Sequence, residues 1–290
     1  MDADSTAGRG TRAAWHVVSR RRARSARLVG AVLAALLIGA CVPPPINGSG
    51  YELVFSDQFD GGAPSGVWSV PPHGNPLPPT LADGVMTIWT TTENGYSWGF
   101  VGSTGPRLAT EPSYPFMHAW QEGYFEARVR YADNPWAWPA FWMYSASTAE
   151  AWPGQDCRRL TSEWDIMENG IANQLGERPA DHWNVSVIHR NTTDGTSDGY
   201  CGQLDETRVF QREFPDVDLN DWHVWAGRWE GDELCTYLDD VELQCMDAYD
   251  TTAQPMHLVF TIQYLGACSG CGPRPAALAL QVDWVRVWQK

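Results

Sequence analysis

After residue 50 the sequence has no long amphipathic helical stretch, no internal repeat and no low-complexity block. Apart from the segment around residues 28–42, no apolar run approaches the roughly 20 residues that cross a bilayer, so the body is expected to be soluble. Basic charge is also scarce. Of 20 Lys+Arg and 35 Asp+Glu, seven arginines and two aspartates lie before residue 42, so 13 basic and 33 acidic residues remain. A body that acidic repels phosphate backbones and anionic lipid, which argues against nucleic acid or a charged membrane surface as partner. A neutral or cationic ligand suits it better. Only one CxxC occurs, Cys268 to Cys271, so the paired spacing of a structural zinc site is missing. Aromatics are plentiful: 16 Trp, 10 Tyr and 9 Phe carry far more buriable surface than a disordered chain does.

The N-terminus runs from an Arg-rich stretch through an apolar core, Leu28 to Ile38, to the small residues Gly39 and Ala40. That is the order of an export signal, and the core is too short for a permanent membrane span. Ile38-Gly39-Ala40-Cys41 resembles a bacterial lipobox, whose cysteine carries the lipid; a plain secretory signal ending near a cysteine is the alternative. Residues 1–41 are therefore read as a signal segment and 42–50, rich in Pro, Gly and Ser, as a flexible tether. The folded body spans 51–290. It is expected to be exported, as a cell-surface lipoprotein or a secreted protein, with membrane contact only through Cys41.

Setting Cys41 aside leaves six cysteines, and an even set in an exported protein reads as disulfides. Cys235 and Cys245 flank an apparent hairpin turning at Asp239-Asp240, which makes their pairing the easiest to defend. Cys157 with Cys201 and Cys268 with Cys271 follow by elimination. A redox role for Cys268-Ser-Gly-Cys271 is the alternative.

Within the body, apolar residues alternate with period two in short runs separated by Gly, Pro, Asp and Asn. In Tyr124–Tyr131, Phe125, Ala127, Val129 and Tyr131 share one face, and Glu126, Arg128 and Arg130 the other. Similar runs occur at Asn184–His189, Trp222–Trp229, Leu234–Leu238, Met256–Tyr264 and Val282–Trp288. Many short strands with frequent turns predict an all-β sandwich or barrel.

The densest chemistry lies in Ser162-Glu163-Trp164-Asp165-Ile166-Met167-Glu168-Asn169. Three carboxylates in an apolar-flanked run need a reason, because half-buried strands exclude them. On a regular strand Glu163 and Asp165 share a face and Glu168 points away; one extra residue in a β-bulge brings it back. A helix would scatter the three around its axis. Paired carboxylates on one face are the equipment of glycoside hydrolysis, and a third between them holds the nucleophile and raises the acid's pKa. A solvent-facing acidic edge or a calcium loop is the bland alternative.

Glu163-Trp164-Asp165-Ile166-Met167-Glu168 is similar to the ExDxxE signature of glycoside hydrolase family 16, in its bulge-containing branch with laminarinases and agarases. Leu53–Gly61 resembles the opening strand of that family, Gly123–Arg128 its central strand and Trp138–Met143 the strand before the catalytic one. Asp221–Trp225 and Val282–Trp288 resemble its late strands, so the likeness covers nearly all of 51–290. It implies a β-jelly-roll sandwich of two antiparallel sheets with a concave substrate cleft. It also implies a retaining endo-glycosidase acting on a β-linked polysaccharide, with β-1,3-glucan the expected substrate and a galactan such as agarose the alternative, and with Glu163 as nucleophile, Glu168 as acid then base, and Asp165 orienting the nucleophile. Trp138 and Trp142 would line the cleft as sugar platforms. His189 and Gln263 are further cleft candidates, with a structural histidine as the alternative for the former. No cofactor is expected for catalysis. A structural calcium ion on the convex side would use Asp283 and the carbonyl near Gly84, unless Asp283 is an ordinary surface aspartate. A monomer is expected.

Two departures from the family pattern bear on substrate choice rather than on the catalytic roles: Pro71 to Pro79 holds five prolines, and Trp164 stands where Ile is common. Sequons at Asn47, Asn184 and Asn191 would matter only in a eukaryotic host. Besides the glycosidase, with hydrolysis or transglycosylation as outcome, the remaining class is a glycan-binding lipoprotein without turnover. The clustered acids favour the enzyme, since a binder has no use for their repulsion.

Overall fold

The computed structural model describes residues 50–61, 67–69, 77–92, 99–103, 118–145, 162–170, 183–190, 206–214, 217–248, 255–265 and 272–290. The chain divides into two units, Met1–Val42 and Pro43–Lys290, and every described residue lies in the second. The signal segment, Cys41, most of the tether, the prolines up to Pro76, and Cys157, Cys201, Cys268 and Cys271 lie outside the described residues.

Among the described residues the secondary structure is all strand. In chain order the strands are β1 (Glu52–Asp57), β2 (Trp68–Ser69), β3 (Thr80–Ala82), β4 (Val85–Thr91), β5 (Gly99–Ser103), β6 (Ala119–Trp120), β7 (Gly123–Tyr131) and β8 (Ala137–Ser145). They continue as β9 (Ser162–Glu168), β10 (Trp183–Arg190), β11 (Glu206–Glu213), β12 (His223–Glu230), β13 (Glu233–Leu238), β14 (Val241–Asp247), β15 (Met256–Tyr264) and β16 (Ala277–Gln289). They form two antiparallel sheets, a jelly-roll sandwich as expected. Sheet I runs β14-β13-β12-β7-β16-β4-β3 with β1 on β16; sheet II runs β11-β10-β9-β8-β15-β5-β2 with β6 on β15.

Period-two alternation places the core between the sheets. From sheet I, Phe125, Ala127 and Val129 turn inward with Trp225, Trp229, Val285 and Val287; from sheet II come Phe141, Met143, Trp164, Ile166, Leu258 and Phe260. Phe141 and Phe260 stack at 4.8 Å, fixing β8 against β15. Six strands expected from alternation are present with ends close to those expected, although the last begins earlier, at Ala277. The polar face of β7 departs from expectation. Glu126 is 7% exposed, receives the Trp288 indole N–H at 2.9 Å and lies 3.8 Å from Arg286, so that face is covered at its centre. Burial holds the Glu126 carboxyl above its usual range, with Trp288 and Arg286 opposing.

The β13–β14 hairpin forms as expected, with Cys235 and Cys245 as direct cross-strand partners joined by a disulfide. Its turn residues Asp239 and Asp240 both have positive φ, 48° and 65°, the two-residue hairpin geometry whose twist matches the strands. Aspartate serves here because Asp239 accepts the Val224 backbone N–H at 2.8 Å and meets His223 Nδ1 at 2.7 Å.

Gly227 on β12 faces the bulged strand of sheet II. A Cβ there would come 2.6 Å from the Trp164 ring and 2.9 Å from Ile166, so the missing side chain makes room for a tryptophan that is fully buried. The Trp164 departure is thus answered in the core. Its side chain points away from the carboxylate face, which removes its expected bearing on substrate choice.

Candidate active site

β9 lies between β8 and β10, and its register against β8 carries the decisive feature. Glu163 pairs with Tyr144, Trp164 with Met143 and Asp165 with Trp142, but the next pair is Met167 with Phe141, then Glu168 with Ala140. Ile166 is therefore an extra residue, a bulge at the position the sequence requires, and beyond it Glu168 rejoins the face of Glu163 and Asp165. The same face holds Trp138, Ala140, Trp142 and Tyr144 of β8. By register it also holds His257, Val259, Thr261 and Gln263 of β15.

A bulge breaks the ladder, so its backbone groups need other partners. The β9–β10 pairing runs from Arg190↔Ser162 to Ile188↔Trp164. Beyond it, two buried β10 side chains take over. Ser186 Oγ donates to the Asp165 carbonyl at 2.6 Å, Asn184 Nδ2 donates to the Ile166 carbonyl at 3.1 Å, and the Glu168 N–H donates to Asn184 Oδ1 at 3.2 Å. Asn184 is fully buried, so the sequon at this position is closed in the folded chain. At the end of β9 the Asn169 N–H donates to the Pro139 carbonyl at 3.2 Å, and Asn169 Nδ2 donates to the Tyr131 hydroxyl. Gly170 follows with φ 84°, where a Cβ would fall 2.1 Å from the Ala137 carbonyl.

The carboxylates are desolvated: Asp165 is 3% exposed and Glu168 7%. Burial, then the charge of Glu168, pushes Glu163 up to about 8. Burial raises Glu168 to about 7, opposed by the hydrogen bond from Trp138. Asp165 is held well above the ordinary range by burial, then by Glu168 and Glu163. Because the three titrate together, their protons belong to the cluster. Near neutral pH such a set keeps at least one proton among its three carboxyls.

The Trp138 indole N–H donates to Glu168 Oε1 at 2.7 Å, and the Trp142 indole N–H donates to Thr261 Oγ1 at 3.3 Å. Gln263 is the cross-strand partner of Trp138. His189 is that of Glu163, and its side chain lies outside the described residues. Two neighbours escaped sequence reasoning. Tyr144, opposite Glu163, is raised to about 12 by burial and the Glu163 charge; His257, edge-on to Tyr144 at 6.1 Å, is lowered to about 4 by burial. Extending the alternation of β8 from Trp138 and Trp142 by two residues would have reached Tyr144.

The expected metal residues lie in sheet I. Asp283 sits at a bulge of β16, and its Oδ2 accepts Arg128 Nη1 at 2.5 Å. A Cβ at Gly84 would meet Asp60 Oδ1 at 3.1 Å and the Gln58 carbonyl at 3.7 Å. With a guanidinium already on its carboxylate, Asp283 does not fit the role of a calcium ligand in this arrangement.

By sequence, the chain is 25% identical over 238 residues to an endo-1,3-1,4-β-glycanase of Rhizobium meliloti, a match that takes in 76% of this chain and 42% of that protein's length. The chain thus spans less than half of that relative. By structure, it is similar to a Bacteroides ovatus family 16 glycoside hydrolase of a mixed-linkage glucan locus, solved with its oligosaccharide product. The TM-score is 0.58 at 20% identity, over 80% of this chain and 99% of that one. The chain has the β-jelly-roll fold seen in solved family 16 glycoside hydrolases. The fold is shared across linkages: an endo-β-galactosidase of Clostridium perfringens matches with a TM-score of 0.61 at 17% identity, over 85% of this chain and 65% of that one. No family model matches the chain.

Proposed function

We propose that this protein is a retaining endo-glycosidase that hydrolyses a β-linked glucan, most simply a β-1,3- or mixed-linkage β-1,3-1,4-glucan. The observation that carries the reading is the bulge at Ile166, which puts three carboxylates, Asp165 and Glu168 buried and Glu163 half-buried, on one face of sheet II. Glu163 attacks the anomeric carbon while Glu168 gives its proton to the leaving oxygen, forming a glycosyl ester and releasing the shortened chain. Glu168, now a base, takes a proton from water as the water oxygen opens the ester, and the β configuration is restored. The Trp138 N–H on Oε1 leaves Oε2 to carry the proton toward the glycosidic oxygen. Asp165, the most deeply buried of the three, stands between the two glutamates on that face and orients and tunes the nucleophile.

Glucan is preferred to galactan because the relative named above is called a β-1,3-1,4-glycanase and aligns along three quarters of this chain. Trp138 and Trp142 supply ring faces for sugar C–H groups; Gln263, whose backbone pairs with Trp138, and His189, whose backbone pairs with Glu163, are the residues proposed to bond hydroxyls. The chemistry needs no cofactor. The protein acts outside the cytoplasm as a monomer, with residues 1–41 as export signal and a lipid on Cys41. Radiolabelled palmitate should enter the wild type and not Cys41→Ser.

The functional test is oligosaccharide release from laminarin, mixed-linkage glucan, agarose, carrageenan and arabinogalactan, with Glu163→Gln as control. Cleavage of a β-glucan by the wild type alone supports the reading. Equal binding of one polymer by both proteins without cleavage would make it a glycan-binding protein instead.

A further inference from the structure

The Cys235–Cys245 disulfide stands apart from the carboxylate face, and its two sulfurs have unlike surroundings. Cys235, on the central side of the hairpin, is fully buried, whereas Cys245 is exposed on β14, the last strand of sheet I. Arg228, the cross-strand partner of Cys235 on β12, donates from Nη2 to Cys235 Sγ at 3.0 Å. That guanidinium is fixed by the Tyr237 hydroxyl at 3.1 Å, Glu230 at 2.8 Å and Glu233 at 2.5 Å. One half of the bridge thus lies in an exposed residue of the edge strand, and the sulfur of the other is held by a charged donor.

We propose that Cys245 is a thiol-exchange site, where a small neutral or cationic thiol opens the bridge in the folded protein and becomes attached. The incoming thiolate attacks Cys245 Sγ and forms a new S–S bond. The Cys235–Cys245 bond breaks, and its electron pair leaves on Cys235 Sγ, where the Arg228 N–H already points. A second thiol attacks the sulfur of the first, releasing a small disulfide and leaving both cysteines reduced. Shielding of Cys235 selects Cys245 as the attacked sulfur, and a charge-assisted hydrogen bond to the departing thiolate speeds the step.

The surroundings also choose the thiol. The neighbouring cross-strand pair is Glu233 with Asp247, both exposed, as is Glu242; Arg228 offsets the charge of Glu233, and Asp247 and Glu242 leave the rim negative. These carboxylates repel an anionic thiol and draw in a cationic one, over a range that salt shortens.

The test uses the full chain under native conditions with cysteamine or 2-mercaptoethanesulfonate, rates being normalised to thiolate concentration. Acid quenching, alkylation and peptide mapping then locate the adduct. Expected are an adduct on Cys245, a free Cys235, and exchange with cysteamine roughly tenfold faster at low salt, the gap narrowing as salt is added. Arg228→Gln, checked for native circular dichroism, should slow exchange several-fold. If that variant does not fold, the comparison of the two thiols on the wild type still decides. An adduct on Cys235, indifference to thiol charge, or opening no faster than global unfolding would overturn the proposal.

Discussion

The indole N–H of Trp138 donates to Glu168 Oε1 at 2.7 Å, which ties the sugar platform to the proposed proton donor. The bond favours the ionised carboxylate and so holds Glu168 below the value that burial alone would give. Trp138→Phe removes the donor and keeps a ring. Glu168 should then titrate higher, and the limb of the pH–rate profile it governs should move upward by about a unit. An unchanged profile with only a raised KM would mean that Trp138 acts as a platform alone.

The carboxylate cluster should cost stability as pH rises. Groups whose pKa is raised on folding bind more protons in the native state, so stability is greatest below their unfolded values near 4.5 and falls through about 7 to 8. Glu163→Gln removes part of that cost. Its Tm should match the wild type near pH 4 and exceed it by several degrees near pH 8, the opposite of an ordinary active-site truncation. Referencing the variant to the wild type at each pH cancels the contribution of His257, whose lowered pKa acts in the other direction.

Gly227 and Trp164 form a packing pair across the sheets. Gly227→Ala brings a Cβ within 2.6 Å of the Trp164 ring, and the overpacking should cost about 1–3 kcal/mol. Since Trp164 lies between the two glutamates on β9, kcat should fall with it. Adding Trp164→Leu to Gly227→Ala should recover stability, a coupling that chemical denaturation of the four proteins measures. Additive effects would mean that the two side chains do not share this space.

Ser186→Ala removes the 2.6 Å hydrogen bond to the Asp165 carbonyl and leaves a buried acceptor unsatisfied. A loss of about 1–3 kcal/mol is expected, with kcat falling more than KM rises because the bulge, not the substrate platform, is disturbed.

Calcium addition or chelation should leave Tm within a degree or so, because Arg128 already occupies the Asp283 carboxylate. A clear stabilisation by calcium would show that the Arg128–Asp283 pair opens to admit the ion.

What could be read in advance was local. The spacing of Glu163, Asp165 and Glu168 demanded one extra residue, and the bulge at Ile166 supplies it. Asp239-Asp240 and the flanking cysteines announced their hairpin because turn and pair lie within 10 residues. The remainder depends on contacts distant in sequence. Nothing near Gly227 says that it faces Trp164, and Asn184 reads as a sequon until the broken ladder opposite gives it partners. Alternation placed Asp283 on a strand but could not show that Arg128, 155 residues away, would neutralise it.

The retaining double displacement is tested most directly by the configuration of the first product. Proton NMR during early hydrolysis of a β-glucan should show the new reducing end appearing as the β-anomer and then mutarotating, with no product from Glu163→Gln. An α-anomer appearing first would mean that water attacks directly, and Glu163 could then not be the nucleophile.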